Sequence, residues 1–178
     1  MRIYTVGHSN RTLEELIGLL QEHQIRVLAD VRSFPVSTRF PHFAKENLER
    51  RLPEANVDYC WLGRELGGFR KRKNPASLHT AILSPGFRNY ADHTASEDFH
   101  RGLEELKRLA ENCRVALMCA EKFWWRCHRR FISDSLVACC GVEVLHIVAE
   151  GKSEAHRLTP AARLAQGDSS TTSPNRAH

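Results

Sequence analysis

A chain of 178 residues, 42% apolar and 26% charged, is long enough for one domain with a real core. It holds no apolar run near the roughly 20 residues a membrane span needs, so no membrane association is expected. A net charge of +5 and a pI near 9.0 point either to anionic partners or to nothing more than a well-solvated surface.

The amino terminus, Met1-Arg-Ile-Tyr-Thr-Val-Gly7, reads as a strand that begins at once and not as a secretory leader, which predicts a cytoplasmic protein. Six cysteines, at 60, 113, 119, 127, 139 and 140, contain no CxxC pair. Free thiols in a reducing compartment are the simpler reading, and neither a structural zinc nor any other cofactor is expected.

In chain order, residues 2–7 predict the first strand. Thr12 and Glu15 form a capping box ahead of Leu13, Leu16, Ile17 and Leu20, which share one helix face. Residues 27–31 predict a second, buried strand. After it, Arg32 to Phe43 is a proline-punctuated loop dense in aromatics and cations. A short helix over about 45–52 is closed by Pro53, and 57–62 predicts a third strand.

From Gly63 to about Asp92 the glycine breaks and the lack of a period predict mostly loop, with the basic run Arg70-Lys-Arg-Lys73 inside it. Thr94, Ser96 and Glu97 mark the next helix, whose stripe is Phe99, Leu103, Leu106 and Ala110. Residues 115–120 make the cleanest buried strand. A helix from about Trp125 to Cys140 follows, stopped by Gly141, and 142–148 is the last strand. The expected organisation is one α/β domain over 1–165 and a disordered tail over 166–178.

This alternation implies an open, mainly parallel sheet flanked by helices on both faces. In such sheets ligands bind beyond the carboxyl ends of the strands. His8-Ser9, Asp30 with Arg32, and Cys119 with Glu121 fall there, and Cys127-His128-Arg129 opens the following helix. His146 lies on the last strand and His156 just past it.

Most of these positions have two readings. Glu121 could move a proton, or pair with Arg129 or Arg32. Cys119 could be a nucleophile or a small core residue. Cys127 and His128 could exploit a helix amino terminus, where backbone N–H groups favour anions and thiolates, or be core and surface respectively. Asp30 and Arg32 could orient substrate or pair internally. Trp124-Trp125 could stack a base or pack as a lid. No nucleotide-binding glycine fingerprint accompanies His8-Ser9, so a nicotinamide cofactor is not supported.

Gly7-His8-Ser9, Asp30-Val31-Arg32 with Pro35 and Ser37, Leu62-Gly63 with Leu66-Gly67-Gly68, Gly86-Phe87-Arg88 with Tyr90, and Cys119-Ala120-Glu121 with Cys127-His128-Arg129 occur in that order. With His146-Ile147 and the Gly151 to His156 segment, the set resembles the bacterial family known as domain of unknown function 488, over Arg2 to about Leu164. The resemblance implies an α/β fold and a functional role for these polar positions. It implies no particular reaction.

The residues then lead to a hydrolytic enzyme acting on nucleic acid or a nucleotide, by base removal or phosphate-ester cleavage, as in DNA repair. Glu121 or Asp30 would activate water, and Arg32, Arg88 and Arg129 would hold phosphate. The 70–73 run would track the backbone, and Tyr90 or Trp125 would stack on an extruded base, with His8, Ser9, Ser37 and His156 completing the substrate contacts. Three alternatives stand beside it. One is cysteine chemistry on a small molecule, with Cys119 or Cys127 as nucleophile and a histidine such as His128 as base. The second is a non-catalytic anion- or nucleic-acid-binding module. The third is a transition-metal site on His8, Cys119, Cys127 and His128.

Overall fold

Short apolar runs form the centre of a single six-stranded sheet, and the amphipathic stretches between them cover both its faces. The computed structural model describes residues 1–71, 77, 79–160 and 162, so the expected tail over 166–178 and part of the basic run, Arg72 and Lys73, lie outside the described residues. The elements are β1 (Arg2–Gly7), α1 (Leu13–Glu22), β2 (Val27–Asp30), α2 (Lys45–Arg51), β3 (Asp58–Trp61), α3 (Gly63–Leu66), α4 (Pro85–His93), α5 (Glu97–Asn112), β4 (Val115–Cys119), α6 (Arg129–Cys140), β5 (Glu143–Ala149) and β6 (Lys152–Ala155).

The strand order is β3-β2-β4-β1-β5-β6, parallel throughout except for the last pair. The central strand β4 is buried at all five of its residues, as expected of a parallel strand covered on both faces. On one face Leu16 and Leu20 of α1 and Leu48 of α2 pack over Tyr4, Leu28 and Met118. On the other, Leu66, Tyr90, Phe99, Leu103, Phe131 and Leu136 from α3, α4, α5 and α6 pack over Ile3, Ala29 and Leu117.

The predicted capping box of α1 and the predicted stop of α6 are both present. Thr12 Oγ1 accepts from the Glu15 N–H at 3.1 Å while Glu15 Oε2 accepts from the Thr12 N–H at 2.6 Å, closing the capping box. Gly141 ends α6 in the left-handed region at φ 62°, where a side chain would be strained.

Three features differ from expectation. The 63–92 stretch, expected to be mostly loop, also carries α3 and most of α4. Phe87, Tyr90 and Ala91 give α4 an i, i+3, i+4 stripe behind Pro85 in its first turn, a signal masked by the polar residues between. The helix expected from Trp125 starts at Arg129, because Trp124–Arg126 forms a 3₁₀ turn and Cys127 is extended at φ −127° and ψ 156°. The antiparallel strand β6 was not expected at all: its four residues, Lys-Ser-Glu-Ala, are all exposed and show no apolar alternation. Among the described residues no helix is long and apolar enough to cross a membrane.

Candidate functional site

The connection leaving β1 crosses one face of the sheet through α1, whereas the one leaving the neighbouring β4 crosses the other face through α6. Adjacent strands whose exits diverge leave a crevice at their carboxyl ends. The backbone pins its floor. The His8 N–H donates to the Cys119 carbonyl, Ser9 N–H to Ala120 and Val31 N–H to Met118, each at 2.9 Å. Gly7 is required here, because a Cβ would fall 2.1 Å from the Glu121 carbonyl oxygen.

Over this floor lies a cleft of about 650 Å³ lined by residues from three strand ends. His8 and Ser9 follow β1; Arg32, Ser37 and Arg39 follow β2; Cys119, Glu121 and Lys122 follow β4; and His128 precedes α6. The expected gathering of polar residues is thus present for His8, Ser9, Arg32, Ser37, Cys119, Glu121 and His128. The Glu121 carboxylate is exposed and makes no ion pair among the described residues; its Oε1 accepts from the Phe123 N–H at 3.3 Å.

Asp30 does not reach the cleft. It is fully buried and accepts from the Arg32 backbone N–H at 3.0 Å and Arg32 Nε at 2.9 Å on Oδ1, and from Arg32 Nη2 at 2.5 Å and the Tyr59 hydroxyl at 2.8 Å on Oδ2, so its four acceptor positions are filled and none is left to activate water. Asp30 instead orients Arg32, whose Nη2 also reaches the Phe43 carbonyl at 2.8 Å and whose Nη1 lies 3.3 Å from His8 Nε2. Burial, and then the Arg32 charge, pushes His8 down to about 4. His8 is therefore neutral near pH 7, with Nε2 accepting from Arg32 and Nδ1 donating to the Ser9 carbonyl at 3.0 Å.

At the cleft floor His128 Nδ1 lies 3.5 Å from Cys127 Sγ and 3.9 Å from Cys119 Sγ. His128 Nε2 is 3.0 Å from the Val31 carbonyl, which can only accept, so Nε2 carries the proton and Nδ1 carries a lone pair. Burial alone would raise Cys127, but Cys119, His128 and Arg129 outweigh it and hold its thiol well below the usual value. Cys119 is held well above it, by its hydrogen bond to Cys127 and by burial.

Arg129, Arg88, Tyr90 and His156 are not cleft residues. Arg129 is 1% exposed and spends its donors within the chain: Nε on Cys127 Sγ, Nη1 on Thr5 Oγ1, and Nη2 on the Glu121 and Lys122 carbonyls. The first N–H groups of α6 are taken as well, Arg129 by Cys127 Sγ, Arg130 by the Cys127 carbonyl and Phe131 by the His128 carbonyl. The expected phosphate seat at that helix start is therefore closed.

Arg88 donates to the Ile82 carbonyl from Nε and Nη2, away from the cleft. Tyr90 is wholly buried, donates to the Leu66 carbonyl at 2.8 Å and leaves no face for a base, although its ring backs His128 at 5.1 Å. Trp125 is 46% exposed but lines a different depression, with Arg130 and Arg157. Arg70 caps α3, donating to the Arg64, Glu65 and Gly67 carbonyls.

His156 belongs to a second buried chain. Thr5 Oγ1 lies 2.7 Å from His146 Nδ1, His146 Nε2 lies 3.0 Å from His156 Nδ1, and His156 Nε2 lies 3.1 Å from Asp134 Oδ1. Asp134 also accepts from the Thr159 N–H and hydroxyl. Trp124 stacks on His146 at 4.1 Å, with 7° between the planes, and so packs on this chain instead of offering a base-stacking face. Burial, and then the nearby His156, pushes His146 down to about 3.

Reasoning on sequence passed over Phe34, Phe69, Lys122 and Gly68 as individual cleft residues. Phe34 and Phe69 are 65% and 63% exposed, with ring centroids 5.7 Å apart over the cleft. The aromatic density of the 32–43 loop was the available signal for Phe34; nothing local marks Phe69 or Gly68.

The model of the family described as domain of unknown function DUF488 matches residues 12–136. No curated protein and no solved structure gives a match.

Proposed function

The chain belongs to this family, the domain of unknown function DUF488, and we propose that it is a hydrolytic enzyme whose cleft takes a nucleotide or a nucleotide unit of nucleic acid. The observation that carries the reading is one cleft in which exposed aromatic faces, Phe34 and Phe69, stand beside the exposed cations Arg39 and Lys122 and the unpaired carboxylate of Glu121. Aromatic faces suit a base and cations suit phosphate, a pairing that recurs in single-strand binding sites. A volume of about 650 Å³ suits a small-molecule ligand of that size. Glu121 is the proton-transfer group that activates water. Arg32 and His8, held by Asp30, give the floor fixed hydrogen-bonding geometry. Unpaired thiols at all six cysteines suit a reducing cytoplasm.

Fluorescence anisotropy with single- and double-stranded oligonucleotides across a salt series tests this. Binding should weaken steeply as salt rises, because neutralised phosphates release condensed counterions. Arg39→Gln with Lys122→Gln should lower affinity for all sequences alike. Glu121→Gln should keep binding and lose turnover of the oligonucleotide. If the wild type binds no oligonucleotide or nucleotide at low salt, the reading fails.

A second reading, cysteine chemistry on a small molecule, has one observation in its favour. Cys119 lines the cleft with its sulfur 3.9 Å from the His128 lone pair. Alkylation that is lost in Cys119→Ser and blocked by the substrate would move weight to it.

A further inference from the structure

We propose that Cys119, Cys127 and His128 form a binding site for a thiophilic divalent transition metal, zinc in the first instance, with its fourth coordination position open to the cleft. Three independent features of the site lead there.

The first is distance. A tetrahedral ion with bonds of about 2.3 Å to sulfur and about 2.1 Å to nitrogen separates those ligand atoms by about 3.6 Å. The two sulfurs lie 3.5 and 3.9 Å from His128 Nδ1, and all three donor atoms fall within 4.8 Å of one another. The second is the ring's orientation. The Val31 carbonyl fixes the proton on Nε2, which aims the single lone pair of Nδ1 at both sulfurs, and this is how a metal-bound histidine is commonly held. Both sulfurs converge on that one lone pair, as the ligands of a shared ion do.

The third feature is the support given to Cys127. The Arg129 backbone N–H and its Nε donate to Cys127 Sγ at 3.5 and 3.4 Å, as partners of a ligating thiolate do. Gly68 in turn fixes the place of the ring: a Cβ there would stand 2.5 Å from His128 Nδ1 and 2.9 Å from its Cγ, over the ring face, so any larger residue would push the imidazole off this position.

The three ligands differ in exposure in a useful way. Cys127 lies beneath the floor, whereas Cys119 and His128 line the cleft itself. Three protein ligands with a position open to a substrate cleft is the arrangement of catalytic zinc sites, while structural sites close all four. The spacing, one ligand at the end of β4 and two adjacent ones before α6, matches no zinc-knuckle pattern; strand pairing and the 3₁₀ turn at Trp124–Arg126 build the site. Where the hydrolytic reading holds, and only there, the ion would lower the pKa of a water in the open position, and that water's proton would pass to Glu121.

The test uses the full chain without a histidine tag, carrying Cys139→Ser and Cys140→Ser to remove the thiols at the end of α6. After chelation, Co(II) is titrated in, followed by competition with Zn(II). The expected result is one equivalent of cobalt with a sulfur-to-cobalt charge-transfer band and tetrahedral visible bands, displaced by one equivalent of zinc. Cys119→Ser, Cys127→Ser and His128→Gln should each weaken zinc by more than the roughly 100-fold that removing a supporting partner costs. Gly68→Ala, which keeps all three donors, should weaken it as well. Should a ligand variant fail to fold, the parent spectrum decides alone: no charge-transfer band, or a band unchanged in the variants that do fold, overturns the site. Nucleotide binding by the same protein is measured separately. Metal uptake without it removes the nucleic-acid reading and leaves the site, and the reverse removes only the site.

Discussion

Two buried histidine clusters meet at Arg129, and they differ in how completely their hydrogen bonds are closed. On one side Thr5, His146, His156 and Asp134 form a directed chain in which each donor finds one acceptor. On the other, His128 offers one lone pair to two sulfurs at the edge of a cleft. Arg129 ties the two together, reaching Thr5 with Nη1 and Cys127 with Nε. A closed buried network fixes elements against each other, here β1, β5 and α6. An open one beside solvent is where a ligand has something to complete.

The largest expected effect is on pH dependence, through His146 of the closed chain and His8 at the cleft floor. His146 and His8 sit at about 3 and about 4 in the folded chain, below the ordinary value near 6.5. Above pH 6.5 neither state is charged. As pH falls from about 6.5 towards 4 the unfolded chain takes up protons that the folded chain refuses, and stability drops by up to about 3 kcal/mol for each histidine. Urea midpoints measured from pH 7.5 to 4 should show this, and His146→Gln should flatten the curve. Phosphate in the cleft should raise the His8 titration, followed by NMR, and leave His146 where it is. A shift of His146 alone would move the anion site from the cleft to the closed chain.

Next in size is Asp30→Ala. It strands the buried Arg32 charge and should cost about 3–5 kcal/mol in urea unfolding. A stable Asp30→Ala protein that lacks only turnover would instead restore Asp30 as a catalytic base. Asp134→Ala removes the acceptor for His156 and for both Thr159 donors, and should cost about 2–3 kcal/mol while nucleotide binding at the cleft persists. Tyr90→Phe is the smallest. Losing its bond to the Leu66 carbonyl should cost about 1 kcal/mol with cleft binding unchanged, and a large loss of binding would put Tyr90 back in contact with substrate.

What could be read from sequence divides along the same line. The sheet, α1 with its capping box and the arrival of His8, Arg32, Cys119 and Glu121 at one edge follow from period and strand ends, which are local signals. The helices between 63 and 92 and the strand β6 were not legible, since α4 buries only a narrow stripe and β6 buries nothing. The roles of Arg129 and Tyr90 were misread for a common reason. Both look like recognition residues, but what surrounds them is set by contacts far along the chain, Thr5 for one and Leu66 for the other. The Cys119, Cys127 and His128 cluster was visible as residue types, while its convergence depended on a turn that shifts the start of α6 to Arg129.

The most direct test of the division between a closed network and an open cleft is an NMR titration of the ¹⁵N-labelled chain with a nucleoside monophosphate. The amides of residues 8–10, 32–40 and 119–122 should shift together and saturate at one affinity, while those of Asp134, His146 and His156 stay still. Shifts confined to residues 134, 146 and 152–159, or none at all at millimolar nucleotide, would contradict the placement of the site in the cleft.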